Sequence, residues 1–205
     1  MGEHRNEIFN LCAKGNLEEL IFFIKNNVFI NLSAFNENAF ATAAYHGHLN
    51  IMKYLLKINP NINISIGNER IFKNASENGN IDVLQFLLKY KPSINISADD
   101  DYAFRYAAMQ DHLPVLQFLL KQKPNLNISA KREEAFKFAA TYGYVSILKF
   151  LLKLKPVTKT KFLQLSIINN HYEIINVIIK YQTIKYKILN VNNLTLLPKY
   201  FLYNV

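Results

Sequence analysis

An all-α solenoid of stacked helix-turn-helix units, joined by short extended connectors, is the fold class this sequence predicts. Three observations predict it. The phrase VLQFLLKYKPSINIS at 83–97 returns as VLQFLLKQKPNLNIS at 115–129, 32 residues on. Prolines at 60, 92, 124 and 156 keep that interval, as do Leu55-Leu56, Leu87-Leu88, Leu119-Leu120 and Leu151-Leu152. Small residues keep step with them, in Ala43-Ala44, Ala75-Ser76, Ala107-Ala108 and Ala139-Ala140. A phrase recurring at a fixed distance is a structural unit stacked on a copy of itself, because one such unit cannot cover its own apolar faces.

In order along the chain, residues 1–28 read as an N-terminal cap repeat. Leu11-Cys12, Gly15 and Phe23-Ile24 fill the frame, while Glu3, His4, Arg5, Asn6, Glu18 and Glu19 give it polar cover. Four full repeats follow, at 29–60, 61–92, 93–124 and 125–156. A shortened repeat at 157–180 keeps Ser166-Ile167, Asn170 and Ile178-Ile179-Lys180. The tail at 181–205 is expected to fold against the last repeat as a C-terminal cap.

Within the repeat at 125–156, Phe136, Ala139 and Ala140 share one face of a first helix. Glu133 and Glu134 stand at its expected start, where carboxylates complement the helix dipole. Gly143 ends it, since a tight helix–helix turn needs a left-handed residue. Elsewhere Gly15, Gly47 and Gly79 fill that slot, and Asp111 and Asn170 replace glycine with the next residue types to tolerate the conformation. A second helix buries Ile147, Leu148, Leu151 and Leu152, and stops before Lys155-Pro156, because proline pushes its predecessor out of the helical region. Cys12 occupies a small-residue slot and reads as a packing residue.

This pattern resembles the ankyrin repeat. The resemblance rests on Ala43-Ala-Tyr-His-Gly47-His48 followed by Leu55-Leu56, and on Asn125-Leu-Asn127 in the connector. It implies an ankyrin-type solenoid whose first helices and loop tips line a concave binding surface. The family's Thr-Pro-Leu-His is replaced by Glu37-Asn-Ala-Phe40, Glu69-Arg-Ile-Phe72, Asp101-Tyr-Ala-Phe104 and Glu133-Glu-Ala-Phe136. Acidic residues are expected to take over the helix start there. The Gly-Ala after the second helix has become Lys-Pro or Asn-Pro, and the connectors are expected to be short fingers without regular strands. Abundant Asn, Ile, Lys, Phe and Tyr indicate an AT-rich genome. Arrays of this kind resemble the Asn/Ile/Lys-rich ankyrin-repeat proteins of giant DNA viruses of amoebae.

Catalysis finds few parts here. Four of the six glycines belong to the helix–helix turns, leaving Gly2 and Gly67, too few for a phosphate-cradling loop. No Gly-x-Ser-x-Gly, His-Glu-x-x-His or Cys-x-x-Cys occurs. His46 and His48 invite a metal reading, but the resemblance gives His48 a turn and inter-repeat hydrogen-bonding role, and His112 repeats its slot. No enzyme activity, cofactor or metal is expected. With no apolar run of about 18–20 residues, no apolar leader core and one cysteine, the chain is expected in the cytoplasm and off the membrane (the host cytoplasm if viral), as a monomer.

Binding remains. Positions that vary between repeats, on the side the resemblance makes concave, are the expected partner contacts. After the small pair these are Tyr45 and His46, Glu77 and Asn78, Met109 and Gln110, Thr141 and Tyr142. At the loop tips they are Asn36 and Glu37, Asn68 and Arg70, Asp99 to Tyr102 with Asp100 central, and Lys131 to Glu134 including Arg132. Tyr45, Met109 and Tyr142 are residue types that anchor protein interfaces. The acidic tip at 99–101 followed by the basic tip at 131–132 is either an electrostatic step that orients a partner or a neutralisation between neighbours.

The net charge of +9 gathers in ladders at Lys57, Lys89, Lys121 and Lys153 and at Lys91, Lys123 and Lys155. They are read as dipole-complementing, solubilising residues of the convex back, with nucleic acid the less favoured partner because no aromatic residue interleaves the stripe. The function expected is a non-enzymatic protein-protein interaction module. The alternative is a substrate-recruiting adaptor of a ubiquitin ligase, which needs a second surface in 181–205.

Overall fold

The computed structural model describes residues 2–27, 36–155 and 160–188. Among them are twelve α-helices and no strand: α1 (Gly2–Lys14), α2 (Leu17–Asn26), α3 (Asn36–Tyr45), α4 (Leu49–Ile58), α5 (Ile66–Glu77), α6 (Ile81–Tyr90), α7 (Ala98–Met109), α8 (Leu113–Gln122), α9 (Ala130–Tyr142), α10 (Val145–Leu154), α11 (Thr160–Ile168) and α12 (Tyr172–Ile188). Contacts divide the chain into two compact units, Met1–Ala139 and Ala140–Val205.

In the first unit the odd-numbered helices pack in series, α1 on α3, α3 on α5 and α5 on α7, while α4, α6 and α8 form a second row. The small pair makes the first row possible, since Ala43, Ala44, Ala75, Ser76, Ala107 and Ala108 are all fully buried. Their lack of bulk lets neighbouring backbones approach. Phe40, Phe72, Phe104 and Phe136, one per repeat, are the largest side chains fully buried in this unit. Burying each contributes about 1.5–3 kcal/mol. Cys12 is fully buried as well, and that desolvation pushes its thiol up to about 12, so it stays protonated at neutral pH. In the second unit α10 and α11 pack on α12, around Ile147, Leu148, Leu151, Phe162, Ile174 and Ile178. α12 runs past 180 to Ile188. The residues after it, in which most of the expected C-terminal cap falls, lie outside the described residues.

Three of the helix–helix turns share one hydrogen-bond scheme. His48 N–H donates to Ala43 O (2.8 Å) and Gly47 N–H to Ala44 O (3.2 Å), a Schellman closure with the glycine left-handed at φ +79°. Asn80 and Gly79 repeat it against Ala75 and Ser76, and His171 and Asn170 against Ser166 and Ile167. Asp111 and Asn170, the expected stand-ins for glycine, have φ 60° and 59°.

The residue after each turn ties repeat to repeat. His48 Nε2 donates to Ala13 O at 2.9 Å, Asn80 Nδ2 to Ala44 O and Tyr45 O at 3.0 and 2.8 Å, and His171 Nε2 to Thr141 O at 2.7 Å. Each side chain passes over the turn glycine of the preceding repeat. A Cβ on Gly15 would sit 2.5 Å from the His48 ring, and one on Gly79 2.8 Å from that of His112.

The connectors hold the main correction. Glu69, Asp101 and Glu133 do not begin regular helix as dipole-complementing residues. Each closes a left-handed turn: Gly67-Asn68-Glu69, Asp99-Asp100-Asp101 and Lys131-Arg132-Glu133 have φ between 49° and 65° throughout. Right-handed helix resumes at Arg70, Tyr102 and Glu134. Asn-x-Ser sets the turn up, because Asn63, Asn95 and Asn127 each accept through Oδ1 from the backbone N–H two residues on, at 3.1–3.2 Å. The acids then work across repeats. Buried Glu69 accepts from Asn95 N–H at 3.3 Å and from Ser65 Oγ at 2.8 Å, and buried Asp101 accepts from Asn127 N–H at 3.2 Å. Lys91 donates to Ser65 Oγ at 2.7 Å, so this ladder lysine belongs to the repeat-to-repeat scaffold.

Candidate functional site

Two clusters form on the odd-numbered helices of the first unit. The first is an open groove of about 350 Å³. Tyr45, His46 and Arg70 line it, together with Phe9, Asn38, Thr42 and Asn74. Tyr45 stands one turn beyond Ala41 on α3 and is 45% exposed, with its ring edge-on to His46 at 5.0 Å. Arg70 is exposed at the head of regular α5, and its Nη2 donates to Asn38 Oδ1 at 3.2 Å. Arg5 approaches the Phe9 ring at 6.0 Å.

The second cluster spans α5, α7 and the start of α9. Tyr102 and Tyr106, one helical turn apart, stack at 3.8 Å with their planes 7° apart. Tyr106 meets the Phe138 ring edge-on at 6.2 Å. The Arg105 guanidinium lies 5.8 and 5.5 Å from the two tyrosine rings and pairs with Glu134. It also donates to Asp99 O and Asp100 O at 3.0 and 2.9 Å, so it satisfies carbonyls of the left-handed turn. Tyr102 Oη donates to Glu77 Oε2 at 3.0 Å. Burial first, and that bond second, push its phenol well above the usual 10.

The charged tips neutralise one another. Lys131 pairs with Asp100 at 2.6 Å, and Lys73 pairs with Asp99, which also accepts from Asn68. The hydrogen bond from Lys73 holds Asp99 below the ordinary carboxylate range, and that from Lys131 does the same for Asp100. Of the two readings of the 99–101 and 131–132 tips, neutralisation between neighbours is the one the ion pairs bear out.

The other expected contacts scatter. Asn78 is half-buried and bonds back to its own helix, its Nδ2 donating to Asn74 O at 2.8 Å. Met109 is half-buried, while Gln110 and Arg132 are exposed. Thr141 and Tyr142 belong to the second unit, where Tyr142 is 47% exposed and packs at 5.7 Å on Tyr144. Among the described residues no three His, Cys, Asp or Glu side chains gather as metal ligands; His46 and His48 merely stack at 6.2 Å. Lys73, Arg105 and Tyr106 are new to this face. The signal was present as a Tyr-x-x-Arg-Tyr spacing on one helix, in a first turn whose variation between repeats passed for helix start.

On the second row, Lys89 has aromatic company. Phe86 and Tyr90 stack at 5.9 Å beside it, and with Lys53 and Asp82 they edge a hollow of about 610 Å³. The expectation that no aromatic residue accompanies the lysine ladder fails at this place, because one turn of α6 sets Phe86 and Tyr90 against each other. Lys57, Lys89 and Lys121 are exposed, whereas Lys91 and Lys123 are half-buried.

No helix among the described residues is long and apolar enough to cross a membrane. No curated protein matches the chain. Solved structures do: the human ASB11 ankyrin repeat domain is 20% identical with a TM-score of 0.62, over 85% of this chain and 82% of that one. An ankyrin repeat family protein from Legionella pneumophila is 19% identical with a TM-score of 0.52, over 89% and 73%. The family model described as ankyrin repeats (3 copies) matches residues 8–100, 72–161 and 104–193. With paired helices, left-handed closures and side chains bridging one repeat to the next over nearly the same span, the chain belongs to the ankyrin-repeat family.

Proposed function

We propose that the chain is a non-enzymatic protein-protein interaction module whose partner docks along the odd-numbered helices. Ankyrin repeats are generally interaction modules. The observation that carries the reading is a contrast between constant and variable positions. The small pair, the left-handed turn and the buried phenylalanine recur, while the slots beside them change. Those slots hold exposed Tyr45 and Arg70 in the first cluster and half-buried Tyr102, backed by buried Arg105, in the second, and aromatic and arginine residues dominate binding energy at protein interfaces. Affinity would come from those few anchors on a rigid support, with the scaffold contributing orientation.

The finer expectations are part of the same proposal. Six repeats would act as one monomeric array. The Asn-, Ile- and Lys-rich composition favours a viral source with an AT-rich genome, which would make the partner a host protein in the host cytoplasm. Tyr142 and Thr141 would extend the contact surface. A ligase-recruiting role would need residues 181–205, and deleting them would then remove one bound protein and leave the rest.

A second reading has its own support: the Phe86–Tyr90 stack beside Lys53 and Lys89 offers a base-stacking surface with phosphate-binding charge. Affinity capture separates the two. The full chain is compared with Tyr45→Ala/Met109→Ala/Tyr142→Ala and with Lys53→Ala/Lys89→Ala, each checked for folding by circular dichroism. Loss of a captured protein in the first variant alone supports the protein-binding reading, and a nucleic acid lost in the second alone supports the other.

A further inference from the structure

We infer that the groove between α3 and α5 takes a carboxylate side chain, so that the partner presents an acidic, extended peptide segment to Arg70. This rests on the protein-binding reading above and names the chemistry of the partner. Lys73 and Arg105 occupy one slot on successive helices, and each has its own carboxylate, Asp99 and Glu134. Lys131 likewise has Asp100. Arg70 joins none of these pairs; it is exposed, and its guanidinium meets only the neutral amide of Asn38.

Arg70, like Arg132, is thus an exposed arginine of this row outside the ion pairs, and it is Arg70 that lines a groove. No carboxylate lines the groove, and His46 and the Asn74 amide are further polar groups of its lining. A guanidinium has five N–H donors in a planar fork suited to a carboxylate, and one bond to Asn38 leaves most of them for a ligand. Tyr45 and Phe9 on the same rim supply apolar area for the flanking peptide residues. At about 350 Å³ the space lies near the lower end of the roughly 300–1,000 Å³ of ligand pockets, room for side chains.

The test is a random peptide library displayed on phage and panned against the full chain. Enriched peptides are synthesised and titrated against the wild type, Arg70→Ala, Arg70→Glu and Tyr45→Ala, with thermal melts confirming that each is folded. The inference expects a shared Asp or Glu in the enriched peptides and binding about tenfold or more weaker to Arg70→Ala, the size of a charged hydrogen bond. It further expects Arg70→Glu to select Lys- or Arg-bearing peptides in its own panning. Peptides without a shared acid, or indifferent to Arg70→Ala yet weakened by Tyr45→Ala, would overturn the carboxylate inference and leave the docking face standing. Peptides indifferent to both, or none enriched, would overturn both.

Discussion

Gly79 is held by two constraints at once. Its backbone is left-handed at φ +76°, and the His112 ring passes 2.8 Å from where a Cβ would stand. The two contributions can be separated. Gly79→Ala should destabilise by about 1–3 kcal/mol in urea unfolding, through left-handed strain and the clash together. On a His112→Ala background the same change should cost only the strain, about 1–2 kcal/mol. Strict additivity of the two substitutions would show that the ring does not bear on the glycine. The glycine slot was legible in the sequence, because Asp111 and Asn170 replace glycine with the residue types that tolerate a left-handed backbone. The bridging role of the next residue was legible at His48 and less so at Asn80, where an amide does the work of an imidazole and no histidine marks it.

At the scale of elements, the left-handed turns are the departure from expectation. Asp99-Asp100-Asp101 could have suggested one, since Asp visits that region, but Lys131-Arg132-Glu133 carries no such preference. The 99–101 turn is held partly by the local Asn95-x-Ser97 turn beneath it, and partly by contacts that no local pattern displays: Asp101 reaching the next connector and Arg105 on the turn's carbonyls. Arg132 tests the strain directly, being exposed at φ 57°. Arg132→Gly should raise stability by about 0.5 kcal/mol, the relieved strain being partly offset by glycine's entropy in the unfolded chain. Arg132→Val should lower it by about 1–2 kcal/mol, and thermal denaturation reads both.

The tip ion pairs make a second prediction at this scale. The folded protein holds Asp99 and Asp100 below their ordinary 3.8, so their stabilisation is present above that value and is lost as pH falls through the lower folded values. The Tm gap between wild type and Asp99→Asn/Asp100→Asn should be open at neutral pH, close in acid, and narrow in high salt, because both aspartates are exposed. A gap unchanged down to strong acid would mean that the pairs contribute nothing through charge.

For the molecule as a whole, the period disclosed the architecture because a solenoid writes its packing rule once per repeat. The binding face was harder to read. Variation between repeats marks contact residues and also marks residues that neutralise a neighbour, and one sequence does not distinguish them. Asp100 and Arg70 both stood out as variable tips. Geometry separates them, since Asp100 is paired with Lys131 while Arg70 meets an amide. The +9 charge also divides: Lys91 is bound into the scaffold, and Lys57, Lys89 and Lys121 remain on the second row.

The central claim is that binding belongs to the odd-numbered helices and not to the lysine-bearing row. The most direct measurement is calorimetric titration of the captured, purified partner into wild type, Tyr45→Ala/Arg70→Ala, and Lys57→Ala/Lys89→Ala/Lys121→Ala. The account predicts that the first variant loses at least about tenfold in affinity while the second stays within about twofold. Affinity kept by the first and lost by the second would contradict it and move the interface to the other row.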